Sequence, residues 1–296
     1  MIVKSLNFVL SHGGILAMRL LALMPLRFTR VLGWFLGRFL YVAVRSRRKV
    51  VLTNLRLCFP GWSDKQREDV AWEHFVYFAQ AWLDRGWLWH RAPQVLQKRL
   101  RLFGALEGLC NDEPTVIFAP HFVGLDAGGT ALALGVKRWS ISIYSHQSNA
   151  QVDNWVRAGR LRFGKVNLFD RADGPKPVIA AVRRGAALYL LPDMNYGLAE
   201  SIFVPFYGVP ACTVTSLSRL ARLGRAKIVP VVTRMTRDGY DVEVMPAWDD
   251  VPSGDVEADT LKMNQRLETW INTMPDQYYW VHKRFKDRPP GEPPIY

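Results

Sequence analysis

Two rhythms of apolar and polar positions run along this chain. From residue 115 onward, short apolar runs alternate with stretches of helical spacing: TVIFAP (115–120), WSISIY (139–144), VNLF (166–169), AALYLLP (186–192), AKIVPVVTR (226–234) and YDVEVMP (240–246). Between them the spacing predicts helices near 125–135, 149–163, 175–184 and 213–223, with a last one over 256–274. Strands alternating with helices at these intervals predict an α/β domain, a mixed sheet flanked by helices on both faces, whose ligands bind beyond the carboxyl ends of the strands. Upstream, SDKQREDVAWEHFVYFAQAWLDRGWLWH (63–90) reads as a long helix with Ser63 as N-cap and acids in its early turns, and LRLFGALEGL follows as a strand and turn.

The first sixty residues follow a different rhythm. SLNFVLSHGGILAM, RLLALMPL and VLGWFLGRFLYVAV are separated by single arginines and by Pro25. No uncharged run reaches the roughly 18 residues of a clear transmembrane helix. Burying Leu6, Phe8, Leu10, Ile15, Leu16, Leu20, Leu21 and Leu23 still yields about 1.5 to 3 kcal/mol each. One arginine at bilayer depth costs about 2.5 to 3.5 kcal/mol. Membrane association is therefore expected, and the pattern leaves open whether the arm spans the bilayer or lies in the interface. A cleavable signal peptide is not expected, because no small-residue cleavage site precedes the next apolar segment. The division expected is a membrane-associating helical arm over 1–60 and a catalytic domain over 61–296.

Charge sharpens this division. The 296 residues carry 39 Lys and Arg against 26 Asp and Glu, a formal net charge of +13. Ten basic residues, from Lys4 to Arg56, precede the first acid, Asp64, so most of the excess sits on the apolar arm. The rest of the chain is nearly balanced, which removes the case for a nucleic-acid partner and points the charge at an anionic membrane surface. If the arm spans, its basic flank places the body on the cytoplasmic side. The cysteines Cys58, Cys110 and Cys212 are far apart and odd in number, with no C-x-x-C. Neither a disulfide framework nor a thiolate zinc site is supported, and reduced thiols are expected.

His121 follows the TVIFAP run and precedes Asp126 by five residues in HFVGLD, where a strand hands over to a glycine-containing turn and helix. That is where an α/β sheet presents reactive groups. A second H-x-x-x-x-D, His282 to Asp287, lies in HKRFKD, a pattern of solvated tail, and reads as an exposed or structural histidine. Arg171 in FDRADG follows a short strand and is the candidate for an anionic ligand, since guanidinium grips phosphate bidentately; its alternative is a salt bridge to Asp170 or Asp173. Asp193, again at a strand end, could contact a sugar hydroxyl, orient Arg171 or cap a loop. Cys212 reads as a buried structural thiol. Arg183 and Arg184 read as helix-end charges. Trp82, Trp87, Trp89, Phe203, Phe206 and Tyr207 could line an acyl groove or a membrane interface, with core packing the better reading for most.

HFVGLD resembles the H-x-x-x-x-D/E signature of the glycerolipid acyltransferase superfamily, and LFDRADG, LPDMNYG with FVPFYG, and IVPVVT resemble its further blocks in order. FVPFYGVPACT and YYWVHKRFKDRPPGEPP are similar to one branch, the bacterial lipid A biosynthesis (lauroyl/myristoyl) acyltransferases, over nearly the whole chain. Many members write the third block QDYR or QDFG where this chain has Asp193-Met194-Asn195-Tyr196-Gly197. The resemblance implies an inner-membrane enzyme, its catalytic domain facing the cytoplasm, that moves a fatty acyl chain from an acyl carrier protein thioester to a hydroxyl of a lipid A precursor, with neither cofactor nor metal. Its motif makes His121 the general base and Asp126 its orienting carboxylate, without an acyl-enzyme. Arg171 and Asp193 are the expected substrate-binding residues. The alternatives are a lysophospholipid or aminolipid acyltransferase with the same dyad, or a non-catalytic membrane lipid-binding protein.

Overall fold

A computed structural model describes residues 2–296, with side chains from residue 11 onward. The side chains of Leu6, Phe8 and Leu10, counted above toward the apolar anchor, lie outside the described ones. The N-terminal segment is helical throughout: α1 (Ile2–Leu23), α2 (Leu26–Ala43) and α3 (Arg45–Cys58). Pro25 stands at the junction of α1 and α2, where its missing N–H costs nothing. The long helix α4 (Asp64–His90) starts as its sequence predicts, with Ser63 and Gln66 forming a reciprocal capping box.

α2 packs on α4 through a narrow stripe, Thr29, Gly33 and Gly37, spaced one turn apart. A Cβ on Gly33 would stand 2.6 Å from the Gln80 side chain, so glycine is what allows the two backbones to approach this closely. The opposite face of α2 is left to the outside: Phe28, Val31, Phe35, Phe39 and Val42 are all more than half exposed. Leu16, Leu20 and Leu23 extend that apolar face along α1. Among the described residues, no helix is long and apolar enough to cross a membrane. α3 behaves differently, for Val51 and Leu55 are fully buried in the core of the body.

After α5 (Pro93–Gln97) the chain enters the sheet with β1 (Leu100–Gly104), and a short 3-10 turn leads to β2 (Thr115–Phe118). There follow α6 (Leu125–Gly135), β3 (Trp139–Tyr144), α7 (Ala150–Arg160), β4 (Lys165–Asp170), α8 (Pro175–Arg183) and β5 (Ala187–Leu190). A hairpin, β6 (Ser201–Phe206) and β7 (Val209–Val214), precedes α9 (Ser216–Gly224), β8 (Lys227–Thr236), β9 (Gly239–Val244) and α10 (Val256–Thr273). The main sheet has seven strands in the order β1-β9-β8-β2-β5-β3-β4. β8, β2, β5, β3 and β4 run parallel, while β9 is antiparallel to β8 and carries β1 with it. The mixed sheet with helices on both faces matches the expectation. The β6/β7 hairpin was not anticipated, and its second strand occupies the start of the helix expected at 213.

Alternate side chains of the central strands enter two separate cores. Phe118, Ile141, Leu188 and Ile228 pack with α3, α8, α9 and α10 on one face. Ile117, Ala187 and Val229 pack with α4, α6 and α7 on the other. The segment after α10 is no solvated tail: Tyr278, Trp280, Arg284 and Phe285 are at most 1% exposed. Arg284 is tolerated there because its guanidinium donates to the Cys212 carbonyl and to Thr213 Oγ1, each at 2.7 Å.

Candidate functional site

β2 and β5 are parallel neighbours, with Phe118 opposite Leu190, so their carboxyl ends deliver the next residues of both loops to one place. His121 comes three residues after β2 and Asp193 three after β5. The imidazole donates from Nδ1 to Asp193 Oδ1 at 2.8 Å, and the His121 backbone N–H donates to Oδ2 at 3.0 Å. One carboxylate thus fixes both the ring and the turn that carries it. The Asp193 side chain has no exposed surface, whereas that of His121 keeps 15% of its own. Burial pushes the Asp193 carboxyl up, but the facing charge of His121 and its hydrogen bonds outweigh this and hold it below the usual carboxylate range. An ionised Asp193 requires the proton on Nδ1, which leaves Nε2 as the lone-pair nitrogen. Nε2 has no partner among the described residues.

The C-terminal segment closes the back of this loop. Tyr279 N–H donates to the His121 carbonyl at 3.0 Å, and Val123 N–H to that of Gln277 at 2.9 Å. His282 belongs to this support, which departs from the solvated tail expected for HKRFKD. Its Nε2 accepts from the Asn195 N–H at 3.1 Å and its carbonyl accepts from Asn54 Nδ2 at 2.8 Å. Burial, then the charges of Arg284 and His121, push the His282 pKa down to about 4, so it stays neutral. The physical reason is local: flanking aromatic residues pull the segment into the core, and the basic pattern follows.

Asp126 is close in sequence but engaged elsewhere. It lies in the first turn of α6, where Arg85 of α4 approaches Oδ2 at 2.8 Å and Arg160 of α7 approaches Oδ1 at 2.9 Å. Burial would raise its pKa, but the charges of Arg160 and Arg85 prevail and lower it. The hydrogen bond expected between His121 and Asp126 is therefore not the one formed, because α6 starts at Leu125 and its first turn carries this carboxylate toward α4 and α7. Asp193, conversely, has both oxygens on His121 and none at the surface for a sugar hydroxyl.

A cavity of about 640 Å³ opens at this point and joins these groups, with His121, Asp126, Arg160 and Arg171 all on its wall. Most of the remaining lining is apolar and comes from both faces of the sheet, including Leu132, Val166, Leu168, Ile143 and Leu220. Arg171 forms none of the salt bridges weighed for it. Asp170 instead caps the Ala172 N–H and meets His146, and Asp173 accepts from Asp170 N–H. The Arg171 guanidinium lies 4.8 Å over the Tyr196 ring, which lines the cavity with it.

The other candidates fall outside the cavity. Cys212 is buried in β7, where Sγ donates to the Gly197 carbonyl at 3.4 Å and burial pushes the thiol up. Trp87, Trp89 and Phe206 are core residues, while Trp82 is exposed. Arg183, in the last turn of α8, donates to the Leu223 carbonyl. Among the described residues, no group of three or more His, Cys, Asp or Glu side chains could hold a metal ion. Arg85 and Arg160 were missed in the sequence because nothing local distinguishes them from other helical arginines.

An α/β sheet that presents a carboxylate-held imidazole to an apolar cavity suits transfer chemistry on a lipid-like substrate. The family model for bacterial lipid A biosynthesis acyltransferases matches residues 3–287, and the chain belongs to that family. It is accordingly an acyltransferase. It is 31% identical to the lipid A biosynthesis lauroyltransferase of Escherichia coli K12, over 98% of this chain and 95% of the relative. It is 32% identical to the myristoyltransferase of the same organism, over 94% of this chain and 87% of that protein. A lipid A biosynthesis acyltransferase of Haemophilus influenzae is also 32% identical, over 94% of this chain and 88% of its own length.

Proposed function

We propose that this enzyme transfers a fatty acyl group from an acyl carrier protein thioester to a hydroxyl of a lipid A precursor, a late acylation in lipopolysaccharide synthesis, with His121 as general base and Asp193 as the carboxylate that orients it. The observation that carries the reading is the His121 ring itself: Nδ1 is locked on a buried carboxylate, His121 lines the cavity, and the opposite nitrogen has no partner among the described residues. Nε2 takes the proton of the acceptor hydroxyl as its oxygen attacks the thioester carbonyl carbon. Asp193 stays ionised and stabilises the imidazolium. The C–S bond then breaks, the ester is complete, and the imidazolium returns its proton to the departing thiolate. Asp126 serves the same site at one remove, holding Arg85 and Arg160 in place. Arg160 and Arg171 supply the positive wall for a phosphorylated acceptor.

The outward apolar face of α1 and α2 is proposed to lie in the inner-membrane interface, with the body on the cytoplasmic side. Among the described side chains, nine large apolar ones of these helices are more than a third exposed, enough to contribute on the order of 10 kcal/mol when covered by lipid. The net charge of +13 suits both an anionic leaflet and an acidic carrier protein.

Purified enzyme supplied with labelled acyl carrier protein thioester and, in parallel, a lipid A precursor, a lysophospholipid and an aminolipid tests the reading. Label in the lipid A precursor is expected. Label in either other lipid instead would move the enzyme to the rival acceptor class, and no transfer to any would remove the proposed donor.

A further inference from the structure

α6 presents two adjacent glycines in its second turn, and the structure accounts for only one of them by packing. A Cβ on Gly128 would overlap the Thr233 hydroxyl, so a side chain is excluded there by the protein itself. A Cβ on Gly129 would meet nothing nearer than the Tyr189 ring, at 4.0 Å. Glycine costs about 1 kcal/mol relative to alanine inside a helix, and no protein contact requires that cost at Gly129. The space it leaves is part of the cavity.

Its position along the cavity gives that space a meaning. Leu125, Gly129, Leu132 and Ala133 recur at helical spacing and all four line the cavity, so one stripe of α6 forms a wall leading away from His121. Gly129 is four residues along this wall from Leu125, about 6 Å at 1.5 Å per residue. Beyond it the lining is mixed, with Leu132 and Ala133 of α6 and Val166 and Leu168 of β4 beside Ser140 and Ser142 of β3. We infer that Gly129 determines how long an acyl chain the cavity accepts, by leaving the passage between α6 and the sheet open at mid-length. This inference rests on the acyl-transfer reading above.

The test compares the full-length protein with Gly129→Leu and Gly129→Ala, using decanoyl, lauroyl, myristoyl and palmitoyl thioesters of the carrier protein. Both substitutions favour the helix, so melting temperatures at or above that of the unaltered protein are expected. The leucine variant should lose at least about tenfold in kcat/KM on the longest chain accepted by the unaltered enzyme, relative to decanoyl. The alanine variant should fall between the two. An unchanged length profile, or an equal loss at every length in a folded variant, would overturn the assignment. Calorimetric binding of free decanoate and palmitate reads the same passage without turnover, with palmitate selectively weakened by Gly129→Leu. Length-selective binding by a protein that transfers no thioester would leave Gly129 in its role and overturn the catalytic reading alone.

Discussion

His121 and His146 both contact an aspartate through Nδ1, at 2.8 and 2.9 Å, yet their surroundings direct them to different work. His121 has one nitrogen on a fully buried carboxylate and the other without a partner among the described residues. His146 sits between two carboxylates, Asp153 on Nδ1 and Asp170 on Nε2 at 2.6 Å, with 57% of its side chain exposed. The hydrogen bond to Asp153 raises its pKa most; burial opposes it, and the charges of Asp153 and Asp170 with the Asp170 hydrogen bond keep the net shift upward. A ring with both nitrogens donating is a charged clamp between α7 and the end of β4; a ring with one nitrogen spare can accept a proton. Carboxylate contact alone does not separate the two rings. The state of the second nitrogen does.

The largest separation between the two should appear on truncation. His121→Ala is expected to reduce acyl transfer by about 10²–10⁴-fold in a protein that still folds, with some loss of melting temperature because the buried Asp193 carboxylate loses its side-chain partner. Normal turnover by this variant would remove the base from the account.

Acid should act next, through histidines kept neutral by burial. His74 donates from Nδ1 to the Asp276 carbonyl, and burial pushes its pKa down to about 4. His282 shifts the same way, so both contribute stability that is complete above the unfolded value near 6.5. That stability is lost as pH falls from there toward about 4, since the unfolded chain binds the protons first. For His74 the loss is about 3 kcal/mol, readable by thermal denaturation across this window. His146 runs opposite: its contribution is full below the unfolded value and fades as pH rises through its raised one.

Arg171→Gln should raise the KM for a phosphorylated acceptor by roughly tenfold or more with kcat little changed, as one charge-assisted contact is lost. A kcat effect without a KM effect would place Arg171 elsewhere. The smallest change is expected for His146→Gln, less than about threefold in transfer rate. A loss comparable to that of His121→Ala would erase the contrast between the rings.

Most of the sheet was legible because its strands are short apolar runs bounded by turns; β3 falls on WSISIY and α6 on 125–135. The hairpin was not, since Pro205 and Pro210 face each other across β6 and β7, and proline in a run argues against a strand. A two-stranded ribbon outside the main sheet tolerates them. His121 was singled out through its place at a strand end. Its partner was not, because Asp193 is 72 residues away and the shared register of β2 and β5, not sequence proximity, brings them together. His282 was misread for a related reason: the charge of HKRFKD is visible in one dimension, while the burial of Trp280 and Phe285 on either side is not.

The central claim is that the orienting carboxylate is Asp193 and that Asp126 acts through its arginines. Measuring kcat for acyl transfer by Asp193→Asn and Asp126→Asn, each checked for folding by its melting temperature, tests it directly. Asp193→Asn should lose about 10²–10⁴-fold in kcat while folded. Asp126→Asn should lose mainly stability, on the order of 3 kcal/mol, through two unpaired arginines. A folded Asp126→Asn enzyme with the larger kcat loss, beside an Asp193→Asn enzyme of near-normal turnover, would contradict the account.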